Sequence, residues 1–194
     1  MYRILLDSSN RDLAVGLAKD NILIDKIRYE AWQRQSETMV DEINTILERN
    51  SVTRDEIDGI IVSIGPGSYT GVRIGLTIAK VMALALNCPI YKISSLAILK
   101  CEEKPSICVI NARSNRSYIG VYKGKETVIK DTIWTNEEVK KYILEHSDFI
   151  ICGDAKYLGY EGFSSDIISE MLSLADSSSI CEDNLGLTPV YLKD

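Results

Sequence analysis

The segment from Ile60 to Leu86 restricts the fold more than any other part of the chain. Ile60-Ile61-Val62-Ser63-Ile64 is a nearly continuous apolar run, the pattern of a strand covered on both faces, and such strands belong to sheets layered between helices. Gly65-Pro66-Gly67-Ser68-Tyr69-Thr70-Gly71 follows, and then a long helical run from Val72 to Leu86 that Asn87 and Pro89 stop. Strand, sharp turn and helix in that order predict an α/β protein. Gly65, Pro66 and Gly67 let the backbone turn tightly and open it to close approach. That serves either a structural turn or an anion at the helix N-terminus. The loop lacks the Walker lysine, because Val72 and Arg73 follow Gly71, and its glycines run GxGxxxG rather than GxGxxG. Within the helix, Gly71, Gly75, Ala79 and Ala83 recur every fourth position. A stripe without large side chains admits a second backbone, either that of its own sheet or that of a partner helix. Gly75 costs about 1 kcal/mol of helix propensity against alanine, which close packing offsets.

The flanking sequence supplies two strand-led halves. Tyr2 to Leu6 reads as a strand running into the turn formers Asp7-Ser8-Ser9-Asn10. Leu13, Val15 and Leu17 alternate as a half-buried strand does, and Ile22 to Tyr29 gives a third, so the chain opens on an antiparallel meander. Met39, Val40, Ile43, Ile46 and Leu47 share one helical face. Thr53-Arg54-Asp55-Glu56 is a capping box, and Ile90 to Ile93 is a further short strand. The second half repeats the theme with strands at 107–110, 118–122 and 127–133. A capping box at Thr135-Asn136-Glu137-Glu138 then opens a helix to about Leu144. Phe149 to Cys152 reads as a strand and Ile167 to Leu174 as a helix, while Pro189 limits the tail to an edge. The expected boundary lies near residue 100, with one lobe over residues 1–100 and a shorter one over 101–194.

Composition and charge exclude several functions. The chain carries 22 Lys and Arg against 28 Asp and Glu, a net charge of −6, without the clustered basic surface that a phosphate backbone requires. Arg113, Arg116, Lys123 and Lys125 form the one modest concentration and read as solvated surface. No signal-peptide pattern opens the sequence and no apolar run is expected to span a membrane. The five cysteines, without CxxC spacing and several inside apolar runs, read as buried reduced thiols of a cytoplasmic protein. The one histidine, His146, ends a polar helix and reads as solvent-exposed, which leaves no triad and no recognisable zinc or iron ligand set. Asp7, Ser8, Ser9 and Asp154 stand at strand ends, where they could flank a hydrated Mg²⁺ and a nucleotide phosphate. Turn residues bonding their own backbone explain them more simply. No residue is assigned to catalysis and none to a metal.

With these elements in place the sequence resembles the TsaB (YeaZ) family, the dimerisation subunit of the bacterial tRNA threonylcarbamoyladenosine system. The residues that carry the resemblance are Ile4-Leu5-Leu6-Asp7-Ser8-Ser9, Ser36-Glu37, the run from Met39 to Leu47, and above all Ile64 to Gly75. Ala79 to Ala85, Ser94-Ser95-Leu96 and Pro189-Val190-Tyr191-Leu192 add to them. The resemblance is dense over the first hundred residues and thin beyond.

It implies an actin-like, Hsp70-type (ribonuclease H-like) architecture of two related lobes, the second reduced. It also implies a cytoplasmic, non-catalytic subunit that binds a TsaD-like catalytic subunit. With a TsaE-like ATPase, that pair transfers threonylcarbamoyl to N6 of adenosine 37 of tRNA. The subunit is expected to form a homodimer when alone and to meet tRNA only through the complex, with no membrane. No intrinsic cofactor is implied, and ATP or ADP is allowed at the subunit junction. Carried over, the partner interface falls on Met39, Ile43, Ile46, Gly71, Arg73, Gly75, Ala79 and Ala83. Where the TsaD-like relatives hold a metal with histidines, this chain has Ser95 and Leu99, with Gln35 near a further one, and such side chains do not replace imidazoles. The family's Asp-Ala-Arg-Arg reads Asn111-Ala112-Arg113-Ser114 here, an amide for a carboxylate. The competing reading is an ATP-dependent phosphotransferase or ATPase of the same fold, using Asp7, Ser8, Ser9 and Asp154. A metallopeptidase is the weakest, for want of histidine.

Overall fold

The computed structural model describes residues 1–31 and 34–192. Strands β1 (Tyr2–Asp7), β2 (Asp12–Lys19) and β3 (Ile22–Glu30) form the expected meander. Helix α1 (Gln35–Arg49), β4 (Ile57–Ser63), helix α2 (Tyr69–Leu86) and β5 (Ile90–Ile93) follow. β4 pairs parallel with β1 and β5 parallel with β4, giving a five-stranded mixed sheet in the order β3-β2-β1-β4-β5. The second half builds β6 (Ser106–Arg113), β7 (Arg116–Lys123), β8 (Glu126–Thr135), helix α3 (Asn136–Glu145) and β9 (Ile150–Gly153). Its sheet, β8-β7-β6-β9, has the same antiparallel meander and the same parallel addition beside the first strand, one strand short. The molecule is thus an α/β protein of the actin-like, ribonuclease H-like kind, with two related lobes and the second reduced.

Strand alternation decides what covers each face. Ile4, Leu6, Ile60 and Val62 point to the side covered by α1 and α2, where Met39, Ile46, Leu76 and Ala79 complete one core. Leu5, Ala14 and Ile61 point to the other side and need a second apolar cover. That cover is α4 (Ile167–Leu174), which sets Ile167, Ile168 and Met171 against them. The chain then runs back along the first sheet. Ile180 bridges Tyr91, Cys181 N–H donates to the Ile90 carbonyl at 2.8 Å, Leu187 is buried in the first core, and Val190 N–H donates to the Ile64 carbonyl at 2.8 Å. The division at residue 100 therefore needs correction: residues 167–191 pack with the first lobe, whose second face would otherwise stay bare, and Leu192 turns onto the core of the second.

Two further expectations change. By length and composition α2 is apolar enough to cross a membrane, with mean hydropathy 1.3 over 18 residues, whereas the sequence reading expects no such run. Its inner residues Val72, Leu76, Ala79 and Ala83 are buried on the sheet. His146 is half-buried rather than solvent-exposed. Its ring stacks on Tyr142 with centroids 3.9 Å apart and meets Phe149 edge-on, with Nδ1 2.9 Å from the Tyr142 carbonyl oxygen. Cys88, Cys108 and Cys152 are buried free thiols, and Cys101 and Cys181 are half-buried ones. The two lobes are joined by a polar network in which Ser94 and Tyr122 both donate to the Asp131 carboxylate.

Candidate functional site

The turn after β1 and the glycine loop after β4 close onto each other. Ser68 N–H donates to the Ser9 carbonyl at 2.7 Å and Ser8 Oγ donates to the Gly71 carbonyl at 2.8 Å. A Cβ on Gly67 would stand 2.3 Å from the Ser9 carbonyl oxygen, and one on Gly71 only 2.0 Å from that of Ser8. Ser68 caps α2 by accepting the Gly71 N–H at 3.2 Å. Close approach at these positions therefore serves the protein's own Asp7-Ser8-Ser9 turn. Gly65 and Pro66 lead into it through a cis peptide bond.

A cleft of about 410 Å³ opens between the lobes, lined among others by Asp7, Ser9, Asn111 and Asp154. Ser8, grouped with them by sequence, is buried beneath α2 and does not line it. Asp7 is buried; its Oδ1 accepts hydrogen bonds from the Ser63 hydroxyl and, at 3.2 Å, from Ser9 N–H. Burial pushes its carboxyl above the ordinary 3.8, and these hydrogen bonds only partly oppose the shift. Asp12, also on the cleft, is held by Arg28 Nε at 2.8 Å, and Asn111 Oδ1 accepts the Arg113 N–H at 2.9 Å. An actin-like fold implies Mg-nucleotide in such a cleft. Three of its donors are engaged within the protein, Asp7 with Ser63 and Ser9, Asp12 with Arg28 and Asn111 with the Arg113 N–H, while the Asp154 carboxylate also lines the cleft.

The raised Asp7 carboxyl has a measurable consequence. The folded state binds this proton more readily than the unfolded one, so the group's contribution to stability is lost as pH rises from near 4 through the raised value. Asp7→Asn keeps an acceptor for Ser63 and removes the charge. It is expected to melt above the wild type at pH 7, with the gain shrinking toward pH 4. A variant that melts lower at pH 7, with no pH-dependent difference, would contradict this account of Asp7.

The outer surface of α1 and α2 is the second candidate. Met39, Ile46, Gly71, Gly75, Ala79 and Ala83 are buried inside the lobe, so the small-residue stripe lies against its own sheet. A Cβ on Gly75 would meet Ser8 Oγ at 3.0 Å. As surface residues of an interface they are corrected: the small size of Gly71, Gly75 and Ala79 admits β1, β4 and the Ser8 turn, while Met39 and Ile46 fill the core beneath α1. Ile43 is largely buried but reaches the surface, and Arg73 is exposed. What faces outward is a groove of about 360 Å³, lined by Val40, Ile43, Leu47, Ile78, Val81 and Met82 among others. Val40 is 50% and Val81 63% exposed. The sequence carried a signal for this second face, since α2 keeps Ile74, Ile78, Val81 and Met82 once the stripe is assigned inward, and a helix apolar all round needs cover on both sides.

The sequence model of the family described as TsaD, tRNA N6-adenosine threonylcarbamoyltransferase, matches residues 29–142. The chain is 30% identical over 200 residues to the uncharacterized protein MG208 of Mycoplasma genitalium, covering 100% of this chain and 95% of that one. It is 32% identical over 146 residues to the tRNA threonylcarbamoyladenosine biosynthesis protein TsaB of Buchnera aphidicola subsp. Schizaphis graminum, covering 72% of this chain and 67% of that protein. In fold it is similar to a Pseudomonas aeruginosa protein described as similar to peptidase YeaZ, with a TM-score of 0.86 at 21% identity over 99% of each chain. The glycine loop, the two-lobed topology and these relatives agree, and the chain belongs to the TsaB (YeaZ) family.

Proposed function

We propose that this chain is a non-catalytic subunit of the cytoplasmic system that makes threonylcarbamoyladenosine in tRNA, and that it acts by binding a TsaD-like catalytic subunit. The observation that carries the reading is the apolar outer face of α1 and α2, on a chain whose relatives are named for that biosynthesis. A catalytic subunit of the matching family offers a related pair of helices, because the family match spans both α1 and α2. Two related helix pairs can then pack face to face, as quasi-isologous partners do, and the same face can pair two copies of this chain when it is alone. A TsaE-like ATPase completes the system, and tRNA is met through the assembled complex. The nucleotide of that complex, ATP or ADP, sits at the subunit junction in this reading, since Asp7, Asp12 and Asn111 of the chain's own cleft are engaged within the protein.

The test is light scattering after size exclusion, on the chain alone and with its own organism's TsaD-like subunit, followed by an assay of tRNA modification. A species containing both chains is expected, together with modification that requires both. The phosphotransferase reading would replace this one if no mixed species forms and the chain alone turns over ATP.

A further inference from the structure

We infer that Arg73, held by Tyr69 and Tyr191, is a preformed anchor for a carboxylate of the catalytic subunit, and that the returning C-terminal segment completes the docking face. The inference rests on the reading that the outer face of α1 and α2 binds that subunit. On α2, Arg73, Thr77 and Val81 are exposed and stand one turn apart in succession, so Arg73 ends the same outward stripe about 12 Å from Val81. α1 borders this stripe on one side. On the other runs the segment after α4, fastened where Lys80 Nζ donates to the Leu185 carbonyl at 2.8 Å and where Val190 N–H reaches Ile64. Leu84 and Leu185 are both exposed beside that fastening.

The segment ends by fixing an arginine. Arg73 Nε donates to Tyr191 Oη at 2.8 Å, its guanidinium lies 4.1 Å from the Tyr69 ring centroid, and the Tyr69 and Tyr191 rings stack 5.4 Å apart. An exposed arginine ordinarily keeps its rotamer freedom. This one is held, yet Arg73 has no carboxylate partner among the described residues. A planar fork fixed on aromatic faces is arranged for bidentate pairing with a carboxylate. Arginine and tyrosine are also the types that dominate interface energetics, above all when already ordered before binding.

The experiment measures the affinity of the full chain for its organism's TsaD-like subunit at several salt concentrations, with Val81→Asp as the control on the parent reading. Arg73→Ala is expected to weaken binding roughly 30-fold and to flatten the salt dependence. Arg73→Lys and Tyr191→Phe should each weaken it roughly 10-fold at an unchanged melting temperature, since they keep the charge or the ring but lose the fixed fork. Arg73→Ala binding within about twofold of wild type, with an unchanged salt slope while Val81→Asp fails to bind, overturns the anchor and leaves the interface standing. Loss of tRNA retention by the assembled complex without loss of subunit affinity also overturns it, because the platform then serves RNA. If wild type itself does not bind, the parent reading fails and the anchor falls with it.

Discussion

Lys100→Met is expected to lower the free energy of unfolding by about 3–5 kcal/mol, the cost of leaving one member of a buried ion pair alone. Lys100 Nζ lies 2.9 Å from Glu170 Oε2, with the two side chains only 6% and 11% exposed. The pair ties the crossing between the lobes, where Lys100 caps the short 3-10 turn Ala97–Leu99, to α4 on the far face of the first sheet. Without the ammonium, the Glu170 carboxylate keeps, among the described residues, a long contact to the Ser173 hydroxyl, at 3.5 Å. Domains of this kind hold about 5–15 kcal/mol in total, so the single variant should unfold at a much lower urea midpoint. The double variant Lys100→Met, Glu170→Leu removes both charges and is expected to regain most of the loss. A single variant that loses less than about 1 kcal/mol would mean that water reaches Glu170 and that the pair does not hold the crossing to α4.

That pair also marks the limit of what could be read from the sequence. Periodicity located β1 to β9 and all four helices, because each carries a local pattern: alternation in Leu13-Val15-Leu17, a helical face in Met39 to Leu47, a capping box at Thr135. Two-sided burial of Ile60 to Val62 was legible from the unbroken apolar run. Which element supplies each side was not. α4 is a short amphipathic helix whose sequence position argues for the second lobe, and only the bare face of the first sheet brings it back. Ser8 and Ser9 are alike in type and adjacent in sequence, yet the turn after β1 sends one under α2 and the other to the cleft. His146 was legible as a helix end, but its stacking on Tyr142 depends on a neighbour one turn back and on Phe149 beyond the helix. The C-terminal segment has no periodic pattern, so nothing local announced that Tyr191 would lie on Tyr69.

The two sides of α2 should separate folding from assembly. Gly71→Ala sets a Cβ 2.0 Å from the Ser8 carbonyl oxygen, a backbone atom that no rotamer change can move. Ala79 is wholly buried, so Ala79→Leu forces new methyl groups into a filled core. Gly71→Ala is expected to cost about 3 kcal/mol or more and Ala79→Leu about 1–3 kcal/mol, in either case as a lowered urea midpoint of the monomer itself, whether or not a partner is present. Val81 carries its side chain into the outer groove at 63% exposure, so Val81→Asp should leave monomer stability within about 1 kcal/mol, mostly helix propensity. A carboxylate in the middle of an apolar docking face should nevertheless weaken association with the catalytic subunit roughly 100-fold or more. Urea unfolding and light scattering on the same three variants separate the possibilities. A folded Gly71→Ala chain that fails only to assemble would put the small-residue stripe back at the interface. A Val81→Asp chain that assembles normally would move the docking face off α2 altogether.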